Sequence, residues 1–95
     1  MKKKNIYYSN HSVKQMFYRN ISTDEVGHTL QNGVPIMEYP DDKPYPSKLL
    51  FATYNLRPLH VICSYNEQDN IIIVITAYEP SLSIWENDYK TKKTK

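Results

Sequence analysis

Four side chains of this chain are the best equipped for chemistry. His11 and Arg19 fall with Gln15 at four-residue steps, His60 sits in RPLHVICSYN (57–66), and Tyr78 precedes Glu79-Pro80. Two imidazoles, a guanidinium and a phenol suit phosphodiester cleavage without a metal. One imidazole takes the proton of a ribose 2′-hydroxyl, the other protonates the leaving oxygen, and Arg19 holds the phosphorane charge. Such a site would cut RNA and spare DNA, because the 2′-hydroxyl is the nucleophile. Each residue also has a structural reading. His11 and Arg19 fit the wet face of an amphipathic helix, and Arg19 fits a cap for helix-end carbonyls paired with Asp24 or Glu25. His60 fits a core imidazole bonded to a backbone carbonyl, and Tyr78 a packed ring whose hydroxyl finds a partner at the rim.

Other chemistries lack their residues. There is no glycine-rich phosphate loop in a chain with two glycines, and no Cys-x-x-Cys, His-Glu-x-x-His or serine nucleophile elbow. His11, His28 and His60 have no metal-ligand spacing, and His28 reads as exposed and uninvolved, so neither metal nor cofactor is expected.

The elements that must position these residues follow from hydrophobic period. Asn5 to Tyr8 reads as a short strand. From Ser9, or Asn10, as N-cap a helix begins, with Val13, Met16 and Phe17 clustered on its apolar side and Ile21 just beyond. Ser22-Thr23-Asp24-Glu25 is a capping box opening a second helix, with Val26 and Leu30 inward, Gly27 weakening it and Gly33 as a left-handed stop. The period then changes to two. Val34 to Tyr39, Lys48 to Tyr54, Leu59 to Tyr65 and Ile71 to Tyr78 read as strands. Pro35 places the first of these at an edge, and the last is apolar on both faces as a central strand is. They are separated by the polar Pro40–Pro46 loop, the turn Asn55-Leu56-Arg57-Pro58 and the Asn66–Asn70 hairpin loop, and Ser81 to Trp85 reads as a helical turn docking Trp85 on the sheet. The expected architecture is α+β, two N-terminal helices packed on an antiparallel sheet of about four strands.

Ninety-five residues suffice for a single domain, residues 1–95. The net charge of +2 conceals an asymmetry: seven of the twelve basic residues lie in tails 1–4 and 90–95, while the body 5–89 holds five bases against ten acids. Tails of this kind are usually solvated. The single cysteine, Cys63, reads as packing within a strand. No apolar segment follows the opening lysines and Ile71 to Ile75 is too short to span a bilayer, so the expectation is a soluble cytoplasmic protein without membrane association.

The run SNHSVKQMFYRNISTDEV, with His11, Met16, Arg19 and Ile21, then Gly33, RPLHVI at 57–62 and ITAYEP followed by Trp85, resembles a small bacterial domain family of unknown function. That family is placed near the RelE/ParE and MqsR/BrnT-type toxins of type II toxin–antitoxin systems. The resemblance implies a toxin-like fold and a cognate antitoxin, sometimes a zinc-finger or DNA-binding protein. It also implies metal-independent endoribonuclease activity, although some relatives poison DNA gyrase. His11, Arg19, His60 and Tyr78 are the positions that would carry catalysis, with Lys14, Lys48 and Arg57 as RNA contacts. The acidic body departs from the strongly basic ribosome-dependent toxins. The alternative is a noncatalytic interaction module whose exposed tyrosines and sheet edge bind another protein by strand addition; a small-molecule binding domain ranks behind both.

Overall fold

The structure is a computed structural model, and it describes residues 5–94. A short strand β1 (Asn5–Tyr8) leads through Ser9 into helix α1 (Asn10–Tyr18) and helix α2 (Thr23–Asn32). Four further strands follow: β2 (Val34–Tyr39), β3 (Ser47–Tyr54), β4 (Arg57–Asn66) and β5 (Ile71–Tyr78). The sheet runs in the order β1-β5-β4-β3-β2. The α+β expectation holds, but the sheet is mixed and has five strands, because β1 pairs parallel with β5 along Asn5↔Ile71 to Tyr8↔Val74. The crossover that parallel pairing demands is supplied by everything between the two strands.

Local signals account for the helix boundaries. The Ser9 side chain accepts from the Ser12 amide, and the Ser22–Glu25 capping box is complete in both directions, each cap contributing about 1 kcal/mol. The two helices lie on one face of the sheet. There Met16, Ile21 and Val26 meet Leu59, Val61, Val74 and Ala77, and a second cluster joins Leu50, Cys63 and Ile72.

Helix α1 is rotated relative to its sequence pattern. Ser12 and Met16 face inward, whereas Val13 and Phe17 face out, Phe17 being 81% exposed. Ser12 is small, and its hydroxyl donates back to the Ser9 carbonyl at 2.8 Å, so its side of the helix carries no unsatisfied polar group and can lie close against β5.

Three further expectations are corrected. Gly33 ends α2 with φ −70° and ψ 153°, an extended conformation. It is required instead by close approach, since a Cβ there would run into the Thr29 carbonyl and lie 3.1 Å from the Phe51 carbonyl oxygen. The turn before β4 is two residues, Asn55 and Leu56, both at positive φ (49° and 69°), as a tight hairpin of matching twist needs, so Arg57 and Pro58 belong to the strand. His28 is half-buried, its ring edge-on to Tyr54 at 5.2 Å.

The opposite sheet face is covered by the C-terminal segment. Ser81 to Trp85 makes the expected helical turn, with the Trp85 amide bonded to the Ser81 carbonyl at 2.9 Å, and Trp85 is 4% exposed. The chain then doubles back. Trp85 bridges Lys92, the Glu86 amide donates to Thr91 and the Lys93 amide to Ile84, each at 2.8 Å. Lys92 and Lys93, and Lys90 within the turn that Asp88 caps, therefore sit in a hydrogen-bonded strap rather than a loose tail. Tail residues 1–4 and Lys95 lie outside the described residues.

Candidate functional site

On β4 the side chains alternate between faces. Leu59 and Val61 join the core under the helices, so His60 points into the other face, beneath the strap. There its ring meets Trp85 edge-on at 4.6 Å, Tyr78 at 5.2 Å and Phe51 at 5.8 Å. The imidazole is fully buried. Its Nδ1 lies 3.2 Å from the Tyr78 hydroxyl and its Nε2 2.7 Å from the Tyr89 carbonyl oxygen. A carbonyl can only accept, so Nε2 carries the proton and donates to Tyr89, while Nδ1 accepts from the Tyr78 hydroxyl. Burial holds the imidazole pKa below its ordinary value, opposed by the bond to Tyr89. His60, expected either as one of two proton-transferring imidazoles or as a core imidazole bonded to a backbone carbonyl, is here closed in by its neighbours. Both ring nitrogens are engaged inside the protein, and the ring clamps the strap to the sheet.

Arg19 follows α1. Strand β1 ends at Tyr8, so the upper part of β5 has an open edge, and there an Arg19 Nη donates to the Ala77 carbonyl at 2.9 Å. The Tyr78 phenol is raised in pKa by burial and by Tyr39, and the Arg19 guanidinium acts against both. Tyr78 and His60 thus meet around the end of β5, and Arg19 is held on the neighbouring Ala77 carbonyl. His11 does not join them. It is exposed in the first turn of α1, about 12 Å along the helix axis from Arg19 at 1.5 Å per residue, and on the other side of the sheet from His60.

The expected RNA contacts are dispersed. Lys14 is exposed on α1. Lys48 lies over the Tyr65 ring at 5.2 Å, beside a hollow of about 290 Å³ shared with Glu38 and Glu67. Arg57 is committed within the fold. Its guanidinium binds Glu79 at 3.0 Å and Glu25 at 3.1 Å and donates to the Asn20 and Arg19 carbonyls at 2.8 and 3.0 Å. The helix-end cap assigned to Arg19 is thus made by Arg57, which reaches across from the sheet. Among the described residues no three His, Cys, Asp or Glu side chains gather as metal ligands, and no helix is long and apolar enough to cross a membrane.

A larger feature was not legible from residue types. Between β1 and α2 opens a cleft of about 690 Å³ lined by Ile6, Asp24, Gly27, His28, Leu30 and Ile72. A Cβ at Gly27 would meet nothing within 4 Å, which leaves that wall of the cleft clear. The cleft adjoins the outer edge of β1. The Asn5 amide donates to Asn70 and the Ser9 amide to Val74. In a parallel ladder alternate residues face the partner strand, so the amides and carbonyls of Ile6 and Tyr8 point away from β5. Side chains alternate in the same way: Tyr8 packs on the core, Ile6 borders the cleft, and Tyr7 is 59% exposed on the other face. The opposite edge, β2, is guarded by Pro35 and by a bulge between Pro35 and Met37.

The chain was compared with known families, curated proteins and solved structures. The family described as Domain of unknown function (DUF4258) matches residues 8–79. No curated protein and no solved structure matches it.

Proposed function

The chain belongs to the DUF4258 family, and from its geometry we propose that it is a noncatalytic interaction module which binds an extended segment of another protein by strand addition on β1. In the toxin–antitoxin setting that the sequence resembles, the segment belongs to the cognate antitoxin. The observation that carries this reading is the outward backbone edge of Ile6 and Tyr8 beside an open cleft. Backbone hydrogen bonds supply affinity in such complexes, and alternate side chains supply specificity. A residue entering the cleft beside Ile6 and Leu30 is apolar, and one reaching Asp24 is a donor or a cation.

A replacement that leaves the fold alone tests this. Ile6→Pro deletes an amide that points away from β5, so it spares the β1–β5 ladder and removes one bond to an added strand. Complex formation with the product of the adjacent reading frame weakens at least tenfold in Ile6→Pro and is retained in Ile6→Val. Equal binding by the proline variant rules out strand addition at this edge.

The endoribonuclease reading keeps one supporting observation, the anchoring of Arg19 on the Ala77 carbonyl, the residue before Tyr78 on β5. In that reading the phenol, backed by His60, handles the proton and Arg19 the phosphate charge. It predicts cleavage of RNA in chelator that is lost in both Tyr78→Phe and Arg19→Ala. RNA left intact by the wild-type chain and its variants alike removes it.

A further inference from the structure

The outward face of α1 is built as a contact surface, and among the described residues its large side chains stand exposed. Stepping 100° per residue around the helix, Ser12 and Met16 point to the sheet, and Lys14, Phe17 and Tyr18 point to solvent, with Val13 and His11 on the two flanks. Phe17 is 81% exposed, Tyr18 77% and Val13 52%. The two rings stand edge to face at 5.8 Å, and Lys14 lies one turn back, at i−3 from one ring and i−4 from the other, so all three share one face of the helix. Surface aromatics scattered singly need no explanation, whereas a contiguous set beside a charge marks an interaction site.

Charge identifies the occupant. All ten acids of the chain lie at or beyond Asp24, so residues 5–23, which build β1 and α1, contain none. Their cations are Lys14 and Arg19, and Arg19 is already bound to the Ala77 carbonyl. Among the described residues of this face, the Lys14 ammonium beside two rings matches one or two carboxylates flanking an apolar ridge. A nucleic-acid strand needs a track of cations along its phosphates, and the described residues of this face provide none. We infer that the outward face of α1 docks an acidic amphipathic helix of a second protein, with its apolar ridge on Val13, Phe17 and Tyr18 and its carboxylates on Lys14. This surface is separate from the β1 edge and does not depend on strand addition there.

The test uses the full chain and two designed, labelled helical peptides of identical leucine ridge, one flanked by glutamates and one by lysines, read by fluorescence anisotropy. The glutamate peptide binds and the lysine peptide does not. Phe17→Ser and Tyr18→Ser each weaken binding at least tenfold, as central aromatic contacts do, and Lys14→Glu reverses the preference between peptides. These side chains are exposed, so the variants keep the wild-type melting temperature. Equal binding of both peptides, no binding of the glutamate peptide, or indifference to Phe17→Ser overturns the inference. So does a uridine oligonucleotide that competes through Phe17, or a wild-type dimer that Phe17→Ser dissociates, since either would make the occupant RNA or a second copy.

Discussion

A neutral imidazole offers one donor and one acceptor, and position 60 uses both: the donor holds the Tyr89 carbonyl of the strap and the acceptor takes the Tyr78 hydroxyl. Its protonation must then oppose folding. With the folded pKa pushed below the ordinary value by burial, the unfolded chain binds the proton first. The contribution of His60 is fully present above about pH 6.5, the ordinary histidine value, and is lost as pH falls from there toward the folded pKa. Urea midpoints measured across that window fall with acid in the wild-type chain, and the slope flattens in His60→Phe; an unchanged slope in His60→Phe refutes the assignment. Tyr78→Phe leaves Nδ1 without its donor and costs about 1–3 kcal/mol. Arg57 is a different case, being partly exposed. Discounted for solvent, Arg57→Ala costs about 1–2 kcal/mol, and Arg57→Lys recovers little of it, because an ammonium cannot span two carboxylates and two carbonyls.

At the scale of elements, the two glycines make one substitution act with opposite signs. Gly27→Ala places a methyl in open space within α2 and raises stability by about 0.5–1 kcal/mol. Gly33→Ala forces a methyl against the Thr29 and Phe51 carbonyls, where backbone must shift, and lowers stability by about 2 kcal/mol or more; paired thermal melts decide both. Elements of this kind were largely legible in the sequence, because caps, prolines and the change of period are local signals: the Ser22–Glu25 box, the edge position of β2 and the docking of Trp85 all appear where those signals put them. Contacts between elements were not. Nothing around Asn5–Tyr8 announces a parallel partner some sixty-six positions later, and nothing in Val13-x-x-x-Phe17 reveals that the smaller Ser12 takes the inward place. The candidate site depended on such contacts. His60 and Tyr78 do pair, and Arg19 reaches the neighbouring Ala77 carbonyl, but the carbonyl of Tyr89 closes over the imidazole, and its arrival from the strap has no signature in residue type.

The whole molecule has a guarded side and an open one. One face of its sheet lies under two helices and the other under the strap, and the β2 edge is blunted by Pro35 and its bulge, while β1 presents its edge to the 690 Å³ cleft. Amide hydrogen exchange should register this asymmetry residue by residue. Amides of β4, and of β5 from Ile71 to Val74, lie between two neighbouring strands and are the slowest to exchange because they open only with the fold as a whole. Along β1 protection alternates. Tyr7 and Ser9, turned toward β5, exchange slowly, whereas Ile6 and Tyr8, turned outward, exchange at nearly the rate of unstructured chain. A partner that adds a strand closes just those two amides, so on complex formation the alternation along β1 disappears while protection in β4 stays as it was. A partner that docks on α1 alone leaves Ile6 and Tyr8 fast, and slow exchange at Ile6 in the isolated chain would mean that the edge is already occupied and unavailable to any added strand.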